Sequence, residues 1–380
     1  MGVRQLLARC AVRRAHVLTV EAPGRWLVRA EVERAVRARG WCLATSPADA
    51  DVLAVCGTPG PELARAVERV WDQLPGPRVR VELRAPKAVA SGLDRALVEL
   101  VDTDGHRRDA CARAHFSEMS DEHGHAGRHD EKMHGGMDHG AHHDSDHGAG
   151  RAPAGIALAE GGEDRDGLEM DVLHLRLGPV LCHWPAGLVL RCALHGDVLV
   201  DAQAWLVDDN SQDAMPGSRD GDNAALLAAR QCDHACDLLM LAGWPWAAAT
   251  ARQARDALMN RPTQDRGRRL IDHLHRRLGR SPMLRWSLRD LASLTVEDCN
   301  ELQLPAWLAG DCYDRLLTRV DMARRLLWDP SAPRHFHAAS AEVVAALPGL
   351  VSGLDLATAR LVIASLGVDP AGGDIGGQDG

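Results

Sequence analysis

The stretch Asp51-Val52-Leu53-Ala54-Val55-Cys56-Gly57-Thr58-Pro59-Gly60 decides how the first part of this chain folds. It is a short apolar run closed by a turn rich in Gly and Pro, and it leads into a helical pattern over 61–73, so strand, turn and helix follow in order. Working outward, His16–Glu21 is strand-like, 25–39 is helix-like and 78–83 is a further strand. This alternation predicts βαβ units and a parallel sheet. The turn at 56–60 ends a strand just before a helix, where an anion site can form at the helix N-terminus. Neither GxGxxG nor a P-loop lysine is present, so the turn reads as a plain βα connection.

With 380 residues, 46% of them hydrophobic, the chain is long enough to bury sizeable cores in two or three domains. Its 44 basic and 53 acidic residues give a formal charge of −9, which offers no overall electrostatic case for nucleic acid. Lysine is nearly absent, with only Lys87 and Lys132, while arginine abounds. No run reaches the roughly 18 apolar residues of a membrane span. Met1 to Arg14 carries four arginines and no hydrophobic region of a signal peptide. Ten cysteines then read as reduced thiols, and the expected location is cytoplasmic.

The sharpest change of composition lies between about Asp104 and Gly167. The expected organisation is an α/β domain over 1–105, a His-rich flexible linker over 106–166, and a mainly α domain with a small antiparallel sheet over 167–380. In the last, 188–194 and 198–207 alternate faces around His195-Gly196-Asp197 and predict a hairpin, with Leu188, Leu190, Cys192 and Leu194 on its core face. Helical patterns follow over 223–242, 247–259, 266–278, 296–302, 313–327 and 341–347.

The first part resembles the small, cluster-bearing subunit shared by nickel–iron hydrogenases and respiratory complex I. The likeness rests on three stretches over roughly 15–85. The first is His16 to Gly24. The second, Ala44-Thr45-Ser46-Pro47-Ala48-Asp49-Ala50-Asp51-Val52-Leu53, is similar to that family's SPRHADVLLVTG segment. The third is the turn Asp72-Gln73-Leu74-Pro75-Gly76-Pro77-Arg78. The second part resembles the start of the partner large subunit, whose signature reads approximately GPxHPxxHGxLRLxLxLxGExVxxA. This chain has Gly178-Pro179-Val180-Leu181-Cys182-His183-Trp184-Pro185-Ala186-Gly187-Leu188-Val189-Leu190-Arg191, then Gly196-Asp197-Val198-Leu199-Val200-Asp201-Ala202.

The resemblance implies a flavodoxin-like N-terminal domain and a reduced large-subunit-like C-terminal domain. It also implies that His183 stands where the family has a histidine facing the quinone site. The metal ligands are another matter. The turn that carries cluster-ligating cysteines in the family is here Gly24-Arg25-Trp26-Leu27-Val28-Arg29, and 79–100 has no cysteine either. No RxCxxC near the first large-subunit helix and no C-terminal CxxC exists to hold nickel.

Between His115 and His147 nine histidines fall in 33 positions, interleaved with eight carboxylates. Such a tract cannot bury a core. As neutral imidazoles, His115, His123, His125, His129, His134, His139, His142, His143 and His147 are candidate low-affinity ligands for nickel or zinc. Cys232 and Cys236, four apart on a predicted helix, share one face, while His234 points elsewhere. The pair is a weaker metal candidate, and buried core thiols are its simpler reading. Carboxylates look scattered over surface positions, and no Ser-His-Asp order stands out.

The expected function is a non-catalytic, structural or coupling subunit of a complex I-like or hydrogenase-related membrane complex. It would have membrane-embedded antiporter-like partners, a peripheral position on the cytoplasmic face of the membrane and no tightly bound cofactor. Two alternatives stand beside it: a nickel- or zinc-buffering or sensing protein acting through the linker, and a cluster-free quinone-linked oxidoreductase.

Overall fold

The computed structural model describes residues 12–113, 160–163, 169–208, 224–329 and 340–370. The first part is an α/β unit: β1 (His16–Glu21), α1 (Trp26–Ala38), β2 (Cys42–Leu43), β3 (Val52–Cys56), α2 (Pro61–Gln73), β4 (Val79–Leu83) and α3 (Val89–Leu100). Its four strands run parallel in the order β2-β1-β3-β4, with Val17 opposite Val52 and Val52 opposite Val79. Every residue of β3 is buried, as its central place in a sheet covered on both faces requires.

Alternation along the strands sorts the side chains into two layers. Val17, Val52, Ala54, Val79 and Val81 meet Val28, Val32 and Val36 of α1 and Leu93 and Ala96 of α3. Leu18, Val20, Leu53 and Val55 point the other way, onto Leu63 and Val67 of α2. One helix does not cover that face. Val189 and Val207 from the second part complete the layer, with Trp205 packed beside them.

The second part begins with an antiparallel sheet in the order β5 (Glu160–Glu163), β6 (Glu169–Leu177), β7 (Leu188–His195), β8 (Val198–Leu206). The hairpin follows the expected pattern: His195 pairs with Val198 across Gly196-Asp197, and Leu188, Leu190, Cys192 and Leu194 all enter the larger core. Val189, on the opposite face, reaches the α/β unit.

The helices that follow are α4 (Ala224–Leu241), α5 (Pro245–Leu258), α6 (Gln264–Gly279), α7 (Pro282–Leu288), α8 (Val296–Glu301), α9 (Cys312–Trp328), α10 (Ser340–Val351) and α11 (Leu356–Leu366). α4 is the central one and packs on α5, α9 and α11. The architecture is thus a parallel α/β sheet followed by a mostly helical region with a small antiparallel sheet.

Two boundaries move. The linker expected over 106–166 loses residues at both ends. Helix continues over 103–113, where Asp109 takes the buried guanidinium of Arg78 at 3.2 and 3.3 Å, and β5 already begins at Glu160. A surface-looking Asp in a polar stretch gives no sign from spacing alone that a partner 31 positions away holds it. None of the described helices is long and apolar enough to cross a membrane.

Candidate functional site

β1 ends at Glu21, and four-residue spacing aligns Arg29, Glu33 and Arg37 on one face of α1. That face meets α4 and α5 of the second part, which bring Arg230 and Asp233, and Arg252, Arg255 and Asp256. Arg29 is the hinge of the resulting network: its Nε donates to Glu21, and its two Nη atoms donate to Glu33 and Asp233, each at 2.5 Å. Asp233 also accepts from Arg230 at 2.6 Å and from Arg255 at 2.7 Å. Arg255 reaches Glu33 at 2.9 Å and Asp256 at 2.8 Å, Arg37 closes on Asp256, and Arg230 donates to Asp369 at 2.9 Å. Arg252 lies 3.7 Å from Glu33.

Five arginines thereby face five carboxylates across the seam. Burial is deep: Asp233 is 1% exposed and Glu33 8%. An isolated ion at that depth would cost several kcal/mol, so each needs the others. The carboxylates expected to be scattered over the surface are, at Glu33 and Asp233, interior groups. A charged face on a helix is ordinarily solvated, and only the docking of the two parts inverts that.

The charges also set which groups keep their protons. Burial alone would raise Asp233, but the guanidiniums of Arg29, Arg255 and Arg230 more than offset it and hold the carboxyl well below its usual range. In Glu33 burial is likewise overcome, by Arg255 and Arg29, and its pKa falls to about 2. Glu21 goes the other way: burial outweighs Arg29 and Arg230, and its pKa is raised.

A cavity of about 430 Å³ opens on this seam, between Glu21, Arg37, Arg252, the β2 region and the loop 179–186. His183 lies on that loop with φ of 55°, and its Nδ1 is 2.9 Å from Asp237 Oδ1 on α4. A proton on Nδ1 shared with Asp237 leaves Nε2 as an acceptor. The loop is pinned by Trp184 Nε1 donating to Leu188 O at 2.7 Å and by Arg360 donating to Cys182 O at 2.9 Å. Gly178 is needed there, because a Cβ would stand 2.1 Å from Leu188 O.

No family model and no curated protein matches this chain. What the site can do is therefore read from its own geometry. His183 is brought to the cavity together with Asp237, a partner 54 positions away that no spacing announces. Cys232 and Cys236 lie on α4 as buried thiols. Burial pushes both up, Cys236 to about 12, which disfavours the thiolate a metal needs. Among the described residues no group of three or more His, Cys, Asp or Glu side chains could hold a metal ion. The nine candidate histidines of 115–147 lie outside the described residues.

The turn at 56–60 has its answer within the chain. Asp208, at the end of β8, accepts from Glu62 N at 3.1 Å and Leu63 N at 2.8 Å, so the start of α2 is capped by a carboxylate from the second part. A Cβ on Gly60 would stand 2.3 Å from Asp208 Cγ, which explains the glycine.

Proposed function

We propose that this chain is a non-catalytic, structural or coupling subunit of a complex I-like or hydrogenase-related membrane complex. It would carry, in one polypeptide, counterparts of the flavodoxin-like small subunit and the large subunit that this superfamily keeps separate. One observation carries the reading. The turn that in the resembling family bears cluster-ligating cysteines leads here to Arg29, which ties together Glu21, Glu33 and Asp233. The seam is filled with ion pairs that fix the two parts against one another, and burial holds the α4 thiols beside it, Cys232 and Cys236, in the protonated form that iron does not bind. This supports a role in holding or coupling rather than in electron transfer.

The test is extraction of the tagged full-length chain from native membranes in mild detergent, followed by mass spectrometry of what accompanies it. Multi-span antiporter-like subunits are expected. A chain that stays partnerless after crosslinking overturns the proposal.

A cluster-free quinone-linked oxidoreductase is favoured by one specific pair, His183 with Asp237 at the cavity. Once both ring nitrogens carry protons, such an imidazole gives its Nδ1–H to Asp237 and can donate its Nε2–H to a quinone carbonyl, while the electrons would come from outside the chain. Calorimetric titration with a short-chain ubiquinone analogue distinguishes this reading: binding lost in His183→Ala supports it, and no binding to the wild type removes it.

A further inference from the structure

Far from the seam, residues 266–289 hold eight arginines and a single acid, Asp272, in a chain whose formal charge is −9. Asp272 is already engaged, 2.8 Å from Arg324. Among the described residues, Arg276, Arg277, Arg280 and Arg285 make no ion pair with a carboxylate. Arg276 Nε donates only to the backbone oxygen of Asp272, and Arg277 lies over the Trp246 ring, 4.8 Å from its centroid. All four are exposed.

The surface around these arginines carries apolar side chains that the core does not use. α7 turns Leu284 and Leu288 inward and leaves Met283 and Trp286 outward, each 71% exposed. Trp246, 41% exposed, stands at the N-terminus of α5 beside Trp244. A shallow concavity joins the two groups, lined by Trp246, His273, Arg276, Arg277, Arg280 and Met283.

We propose that this face binds the surface of an anionic lipid bilayer. The charge complementarity is direct: phosphate and carboxylate headgroups supply the anionic partners that no described residue gives the four guanidiniums, and their local excess attracts an acidic surface despite the overall negative charge. The protruding side chains select a bilayer among acidic partners. Trp286 and Met283 stand out from the surface, where they reach the boundary between headgroups and acyl chains, the layer tryptophan prefers. The arginines beside them extend their heads to the phosphates. A single-stranded nucleic acid would ask for a row of open aromatic faces to stack successive bases, and among the described residues of this face Trp286 alone offers one. The Trp246 ring is instead covered by Arg277 and tilted against Trp244 at 5.6 Å. The inference does not rest on the subunit reading, since a protein-free bilayer suffices.

The experiment is co-sedimentation of the full-length protein with extruded vesicles of phosphatidylcholine alone and of phosphatidylcholine mixed with phosphatidylserine. Binding is expected for the mixed vesicles only, weakening as salt rises. Arg276→Glu/Arg280→Glu/Arg285→Glu should lower partitioning at least about tenfold, since each basic residue near such a surface contributes to the attraction. Trp286→Ala should also lower it and should reduce quenching by brominated acyl chains. All four positions are exposed, so these variants keep the fold. Equal binding to both vesicle types, no binding, or binding indifferent to the triple variant overturns the proposal. So does binding of single-stranded RNA in place of vesicles, or a dimer in sedimentation velocity that Trp286→Ala dissolves.

Discussion

Arginine fills both the seam and the outer face of α6 and α7, with contrasting results. In the seam Arg29, Arg230 and Arg255 each hold two or more carboxylates, Arg230 and Arg255 being buried and Arg29 mostly so. On the outer face Arg276, Arg280 and Arg285 are exposed and carry no ion pair with a described residue. A guanidinium taken out of water must be compensated on the spot, so the seam arginines are locked into one geometry and contribute to structure. One left in water costs nothing to keep unpaired and stays available to something outside the molecule.

The strongest way to break this contrast is Asp233→Ala, which takes one carboxylate from Arg29, Arg230 and Arg255 at once and leaves the seam with more arginines than acids. A loss of about 3–5 kcal/mol is expected, read from urea unfolding, because removing one member of a buried ion set leaves uncompensated charge. Arg276→Ala serves as the control on the exposed face. If the two cost the same, the seam is not the structural element described here.

Acid sharpens the contrast next. Glu33 falls from an ordinary 4.5 to about 2, which corresponds to on the order of 3 kcal/mol of stability. Its carboxylate is bound more tightly when folded than unfolded, so that contribution is complete above 4.5 and is lost as pH falls towards 2. His234 begins the decline earlier. Burial, then the fields of Arg230 and Arg319, hold its pKa well below 6.5, so below 6.5 the unfolded chain takes up a proton that the folded one refuses. Glu21, raised by burial, opposes both trends. The expected curve of unfolding free energy against pH declines from about 6.5 downward and steepens below about 4.5. Glu33→Gln should flatten the lower branch. A flat curve from 7 to 4 in the wild type contradicts the assignment.

Asp208→Ala removes the carboxylate that caps α2 from the other part of the chain, for an expected cost of about 1 kcal/mol in thermal unfolding. Smallest of all, reversing Arg276, Arg280 and Arg285 should change stability by less than about 0.5 kcal/mol, since exposed positions with no ion pair to a described residue rarely matter to the fold. A larger loss would mean that the outer face is internal architecture after all.

How much of this was legible in the sequence follows from which signals are local. β3 and the β7–β8 hairpin declare themselves: Val52–Cys56 is an unbroken apolar run, and Leu188, Leu190, Cys192 and Leu194 alternate without error. β2, with two residues, is too short to show a period, and α7 spans barely two turns. Neither is read from the sequence, nor is α3, although Pro86 separates it from β4 and Val89, Leu93, Ala96 and Leu100 recur at helical spacing. At the candidate site His183 stood out through the wording of its loop, but Asp237 did not. The seam was invisible for a physical reason. Arg29, Glu33 and Arg37 at four-residue spacing describe a solvated helix face equally well, and what buries them is a surface some two hundred residues away.

That separation bears on the order in which the molecule assembles. Arg29 meets Asp233 across 204 positions and Arg255 meets Glu33 across 222, so these pairs form only after a long loop has closed. Until then α1 and α4–α5 present hydrated ions to the surroundings, where a leucine-lined seam would present a sticky surface for the whole waiting time. The charged stretch of the interface adds nothing sticky to what the first part exposes while it waits, which confines the apolar surface left open to the layer that Val189 and Val207 later cover.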